Sequence, residues 1–303
     1  MKGDLAKTLI VKDFDSIGSH THWIRENRVT QHNYKVYPAK LLKLDFQHCR
    51  FLKPYHIAPL ACLIHEYQQK GFAIRLVKIP RAIQDYFESF NFNQFCHKQE
   101  FNNFPTPSDP KTLPLWCIER SASNIYPQQA KQYFEQNHFY GRDLFGLGNA
   151  LAELMNNVHD HSGSKIPGYT FTQYNTKTQL ITTCVCDFGI GIPKRVNDFY
   201  KEKGEAQIDN RAALKKALEM KFSTLSKPHN RGFGWDNILS ILIKLEGKLL
   251  IVSNNVVYVV YPDKSFRETL LEENFPGTLI VVTLDANQLP EKEEELTDEL
   301  IIL

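Results

Sequence analysis

Between residues 41 and 80 the chain reads "LLKLDF", then "IAPLACLIHEYQQ" from 57, then "FAIRLVKIP" from 72. The outer stretches are short and apolar, the pattern of buried strands. The middle one spaces its apolar residues as a helix does and stops at Gly71, which suits a helix C-terminus. Strand, helix, strand predicts a parallel pair joined by a right-handed crossover, and hence an α/β fold.

Proline divides the rest. In "NNFPTPSDPKTLP", residues 102–114, four prolines stand among polar residues, which blocks regular hydrogen bonding and marks a linker. A first α/β domain is expected over 36–104, with an N-terminal segment over 1–35 and a linker and connecting segment over 105–140. A second is expected over 141–287. Its pattern predicts a helix at about 142–160, strands near 168–174 and 180–187, a polar excursion from 200 to 231, a helix near 234–246, and strands near 249–261 and 278–284. An acidic tail with an apolar end is expected over 288–303.

A chain of 303 residues, 42% hydrophobic, can bury cores for both domains. Its 36 basic and 34 acidic residues leave a formal charge of +2, too balanced for the broad basic field of a nucleic-acid surface. Apolar runs fall short of the ~18 residues a membrane helix needs. Neither nucleic acid nor membrane is indicated as a partner. Six cysteines are spread without a CxxC pair, and "MKGDLAKTLIVKDF" does not read as a cleavable leader, so reduced thiols and a cytoplasmic location are expected. Strand alternation in "LITTCVCDF" puts Cys184 and Cys186 on one face, which favours buried packing over metal or redox use.

Chemistry concentrates in the second domain. Leu144, Leu147, Leu151, Leu154 and Val158 recur at three- and four-residue steps, a core-facing helix stripe. On a neighbouring face Glu153 and Asn157 stand one turn apart in "ELMNNVHDHSG". Such a pair can share a task, the amide oxygen of Asn157 offered to a hard cation and Glu153 acting as general base on a water beside it. An ordinary polar helix face is the alternative. A metal cluster from His159, Asp160 and His161 is disfavoured because adjacent helix residues point apart. Downstream, "VCDFGIGIP" ends a strand with Asp187, Gly189 and Gly191; the carboxylate can accept from a ligand and the glycines let backbone approach. "NRGFGWDNILSILIKLEG" then sets Gly232 and Gly234 at the start of an apolar helix, whose free amides favour phosphate.

The order of these motifs, E-x-x-x-N on a helix, D-x-G-x-G after a strand, a variable excursion, then G-x-G opening a helix, makes residues 141–286 resemble the GHKL superfamily of ATP-binding domains. The resemblance implies their two-layer α/β sandwich, the Bergerat fold. "ELMNNVHDHSG" is most similar to the anti-sigma-factor serine kinase branch, with Glu153, Asn157 and His161 matching E-x-x-x-N-A-x-x-H and Val158 in the small-residue position. ATP and Mg²⁺ are the implied cofactors. By this resemblance Asn157 would hold Mg²⁺, His161 would belong to the same cofactor site, and Glu153 would act as base or order the attacking water. Asp187 would read the adenine amino group in a pocket shaped by Gly189 and Gly191, with Thr278 of "PGTLIVVTL" near the base. "MKFSTLSKPHNRG" would be a lid, with Arg231, Gly232 and Gly234 near the triphosphate. Asn230, where a first lid glycine is common, and Trp235, where leucine is usual, depart from the family pattern and point to a lid that closes differently.

Residues 36–100 are similar, more loosely, to a STAS domain, the fold of anti-sigma-factor antagonists. The serine such antagonists present would align near Lys53-Pro54-Tyr55, where there is none. This implies a docking or dimerising module. Three functions stay open on the residues: an ATP-driven switch or slow ATPase that controls a protein partner, a protein serine/threonine kinase, and a nucleotide-binding adaptor without turnover. The missing acceptor serine favours the first. A protein partner is expected, with a second copy of the chain as one candidate.

Overall fold

The computed structural model describes residues 6–29, 37, 39–97, 109–118, 125–219 and 234–292, without the side chains of 159–161 and 234. The first part contains strand β1 (Lys7–Lys12), helix α1 (Ile17–Glu26), strand β2 (Leu41–His48), helix α2 (Pro54–Gln69), strand β3 (Ala73–Val77), and short helices α3 (Arg81–Ser89) and α4 (Phe92–Cys96). Its strands form one parallel sheet in the order β1-β2-β3. The parallel β2-α2-β3 unit is the one the apolar pattern requires.

Within the N-terminal segment, Lys7–Lys12 supplies an edge strand that pairs in parallel with β2. Helix α1 follows, capped by Ser16 and Ser19, each hydroxyl accepting the other's backbone N–H at 3.1 Å. A short edge strand between lysines buries only Leu9 and Val11, too little to stand out by periodicity alone.

The second part contains β4 (Trp116–Ile118), α5 (Ile125–Asn137), α6 (Phe145–His161), β5 (Gly168–Asn175), β6 (Leu180–Asp187), α7 (Ile192–Glu202), α8 (Asn210–Leu218), α9 (Gly234–Lys244), β7 (Lys248–Val260) and β8 (Phe266–Asp285). The strands form an antiparallel sheet ordered β4-β5-β6-β8-β7. The protein is thus mixed α/β, with a parallel sheet of three strands and an antiparallel sheet of five. No helix among the described residues is long and apolar enough to cross a membrane.

Within the linker and connecting segment, Leu113, Leu115, Ile118, Tyr126 and Phe134 are buried, and β4 and α5 belong to the second unit. Within the polar excursion, Asp209 accepts the N–H groups of Arg211 and Ala212 and so starts α8, which buries Leu214. Strand β8 also runs well beyond 278–284, its first half pairing with the end of β7 in a long ribbon.

Alternation along β6 organises the molecule. Ile181 and Val185 enter the core beneath α6 and α9, while Cys184 and Cys186 enter the core around α2. Every residue of α2 from His56 to Ile64 is buried, as expected of a helix covered on opposite faces. Leu42, Leu44 and Phe46 of the parallel sheet cover one side, and Phe171, Cys184 and Leu279 of the antiparallel sheet cover the other. The layers run sheet, helix, sheet, helices.

Candidate functional site

The end of β6 is where the antiparallel sheet, α6 and α7 meet. Alternation carries past Val185, so Asp187 faces the α6 side and Phe188 the α2 side. Asp187 is only 3% exposed. Its Oδ1 accepts the Gly189 N–H at 2.7 Å. Burial pushes its carboxyl up to about 7, against the backbone donors of Gly189 and Thr278.

Register brings polar neighbours to it. Thr278 pairs with Asp187 on one side and with Ser253 on the other. The Ser253 Oγ lies 3.0 Å from Thr278 Oγ1 and accepts the Ile192 N–H at 2.8 Å, which satisfies a free donor at the start of α7. Asn254 donates to the Ile190 carbonyl at 3.4 Å.

The glycines here are required by space. A Cβ on Gly189 would lie 2.0 Å from the Ser162 carbonyl oxygen, and one on Gly277 would lie 2.1 Å from the Asp187 carbonyl oxygen. Gly191 and Gly277 have φ of +85° and +111°, which side chains disfavour. Ile190 donates its N–H to Ser162 at 2.8 Å, sewing the turn to the end of α6.

Helix α6 carries Glu153 and Asn157. Glu153 Oε1 accepts from Asn237 of α9 at 3.2 Å, so the helices flanking the site are linked through a predicted residue. The Asn157 Nδ2 is buried and has no partner among the described residues. Gly234 opens α9. The His161 side chain, Arg231, Gly232 and the segment "MKFSTLSKPHNRG" lie outside what is described, as do the side chains of His159 and Asp160. Trp235 packs against the core of the second unit.

The structure therefore brings Asp187, Gly189, Gly191 and Thr278 to one place and sets Glu153 and Asn157 on the helix whose end touches it. Asn237, Ser253, Asn254 and Gly277 were missed as site residues. Ser253 and Asn254 left a signal: polar residues interrupt an apolar strand where pairing slips and Asn254 takes φ +49°. Among the described residues no group of three or more His, Cys, Asp or Glu could hold a metal. A cation here would need ligand oxygens beside the Asn157 amide.

Comparison with protein-family models finds no family that matches the chain. Comparison with curated proteins finds no matching sequence. The functional reading rests on the residues themselves.

Proposed function

We propose that the chain is a GHKL-type Mg-ATP-binding regulatory protein in which closure over nucleotide controls association with a protein partner. In the same reading the second unit is a Bergerat-type sandwich and the first is STAS-like. One observation carries it: a buried carboxylate, Asp187, sits in a turn that leaves no room for a Cβ at Gly189 and is sewn to the helix bearing Glu153 and Asn157.

A carboxylate accepts from the adenine amino group, whereas guanine presents a carbonyl at that ring position. ATP should be preferred to GTP. The tight glycine turn lets protein backbone pack against it, which would hold the Asp187 carboxylate in place for a base. Mg²⁺ fits as an ion held by phosphate oxygens with the Asn157 amide oxygen, where it would neutralise phosphate charge. Glu153 would orient a water or take its proton, and its bond to Asn237 ties that carboxylate to α9, whose first turn would meet the triphosphate. The kinase alternative finds no serine at Lys53-Pro54-Tyr55 of the first unit and would have to act on a hydroxyl of a partner.

Thermal denaturation with Mg-ATP and Mg-GTP tests the reading. ATP at ~100 times its Kd should stabilise the fold by about 2.7 kcal/mol, and GTP should do less. Equal shifts, or none, overturn it. Asn157→Ala should weaken Mg-dependent binding, while Glu153→Ala should keep binding and lower turnover roughly 10²- to 10⁴-fold. Wild-type turnover in Glu153→Ala would remove its role as base, and a wild type that binds without turnover would select the adaptor.

A further inference from the structure

The residues that shape the base-recognition turn on one side of the sheet are gripped from the other side by the first unit. Phe188 lies between Asp187 and Gly189, and its ring points away from them. The Arg28 guanidinium carbon sits 4.7 Å over that ring. Glu66 of α2 holds Arg28 in turn, accepting from its Nε at 3.0 Å and 3.2 Å, and takes the Val29 N–H at 3.2 Å. Phe275 of β8 also meets Phe188, edge to face at 6.2 Å. Two residues earlier, the Cys62 thiol of α2 donates to the Cys186 carbonyl at 3.4 Å.

The turn has little room to absorb a displacement. Gly189 lies against the Ser162 carbonyl and the Asp187 carboxylate, and Gly277 lies against the Asp187 backbone. A shift of Phe188 must either move Asp187 and Gly189 or break the Arg28 contact. If the two places are coupled through Phe188, each must bias the other to the same extent.

Resting on the nucleotide reading, we propose that Arg28, held by Glu66, is a positioning residue that acts through Phe188 to couple the first unit to the base-recognition turn. Occupancy of the nucleotide site then tightens the Arg28–Phe188 contact, and loss of that contact weakens nucleotide binding. The first unit is thereby a sensor of bound nucleotide.

The test is Mg-ATP titration calorimetry on the full chain, with hydrogen exchange of residues 24–29 measured with and without nucleotide. Arg28→Ala should weaken Mg-ATP binding about fivefold, a typical coupling, and Arg28→Lys should restore part of it by keeping a cation over the ring. Mg-ATP should slow exchange at 24–29 in wild type and not in Arg28→Ala. Arg50→Ala, which breaks the Asp13–Arg50 pair elsewhere in the first unit, should bind as wild type does. Glu66→Gln, which weakens the grip on Arg28 by removing its charge, provides the same comparison if Arg28→Ala does not fold. Wild-type affinity in these Arg28 and Glu66 variants with unchanged exchange overturns the coupling while leaving nucleotide binding intact. Equal losses in Arg50→Ala and Arg28→Ala also overturn it, by showing general destabilisation. A wild type that binds no Mg-ATP overturns the nucleotide reading and this inference with it.

Discussion

Asp187 sits where a charge costs the empty protein stability. Its folded pKa, about 7, lies above that of an unfolded aspartate. The folded state therefore binds the proton more tightly, and stability falls as pH rises from about 4 to about 7, by up to ~1.4 kcal/mol per pH unit. Above that window the penalty is constant. Asp187→Asn keeps an oxygen for the Gly189 N–H and carries no charge. Without ligand it should be more stable than wild type at pH 8 by about 1–2 kcal/mol, after allowing for an unpaired amide N–H. The advantage should shrink toward pH 4, and nucleotide stabilisation should be largely lost. Urea denaturation at pH 8 and pH 5 checks this; the same difference at both values would remove the buried-charge account.

At the level of elements, α1 and α2 meet through His20 and His56, each 1% exposed, with ring centroids 4.6 Å apart. His56 Nδ1 accepts the Lys53 N–H at 3.1 Å, while His20 Nδ1 and His56 Nε2 have no partner among the described residues. Burial holds His56 down to about 4, aided by Lys53 and opposed by Asp13. Burial and then His56 hold His20 well below its ordinary value. Both folded pKa values lie below the unfolded one, so this contribution is complete above about 6.5 and is lost as pH falls toward 4. The direction is opposite to that of Asp187. His20→Leu removes one titrating ring and one unpaired nitrogen. It should stay within about 1 kcal/mol of wild type at pH 7 and lose less stability on going to pH 5. Urea midpoints at the two pH values decide, and an equal loss in both proteins would exclude His20 as a source of acid sensitivity.

Across the whole molecule, α2 makes one core of two units. Residues of both sheets join the cluster around it, and His65 Nδ1 lies 2.5 Å from the Tyr169 hydroxyl across the same boundary. Dividing the chain would expose Phe171, Cys184 and Leu279 on one piece and the apolar side of α2 on the other. The full chain should therefore melt in a single calorimetric transition, and residues 109–292 alone should bind an apolar dye or aggregate. Two separated transitions for the full chain, with a monomeric, non-dye-binding 109–292 fragment, would show that the units fold independently.

Periodicity, glycine and proline are local properties, and what they control was legible without the structure. The β2-α2-β3 unit, the helix carrying Glu153 and Asn157, the strand ending at Asp187 and the constrained glycines after it can all be read from neighbouring residues. Long-range pairing decided the rest. Lys7–Lys12 becomes a strand because β2 offers it an edge. Residues past Pro114 join the second unit because β5 and α6 cover their apolar side chains. Ser253 and Thr278 become neighbours through strand register, far apart as they are in sequence. The apolar spacing of α2 marked it as a helix, but only the tertiary structure decided which surfaces cover it, because a helix's composition states how much must be hidden and not what hides it.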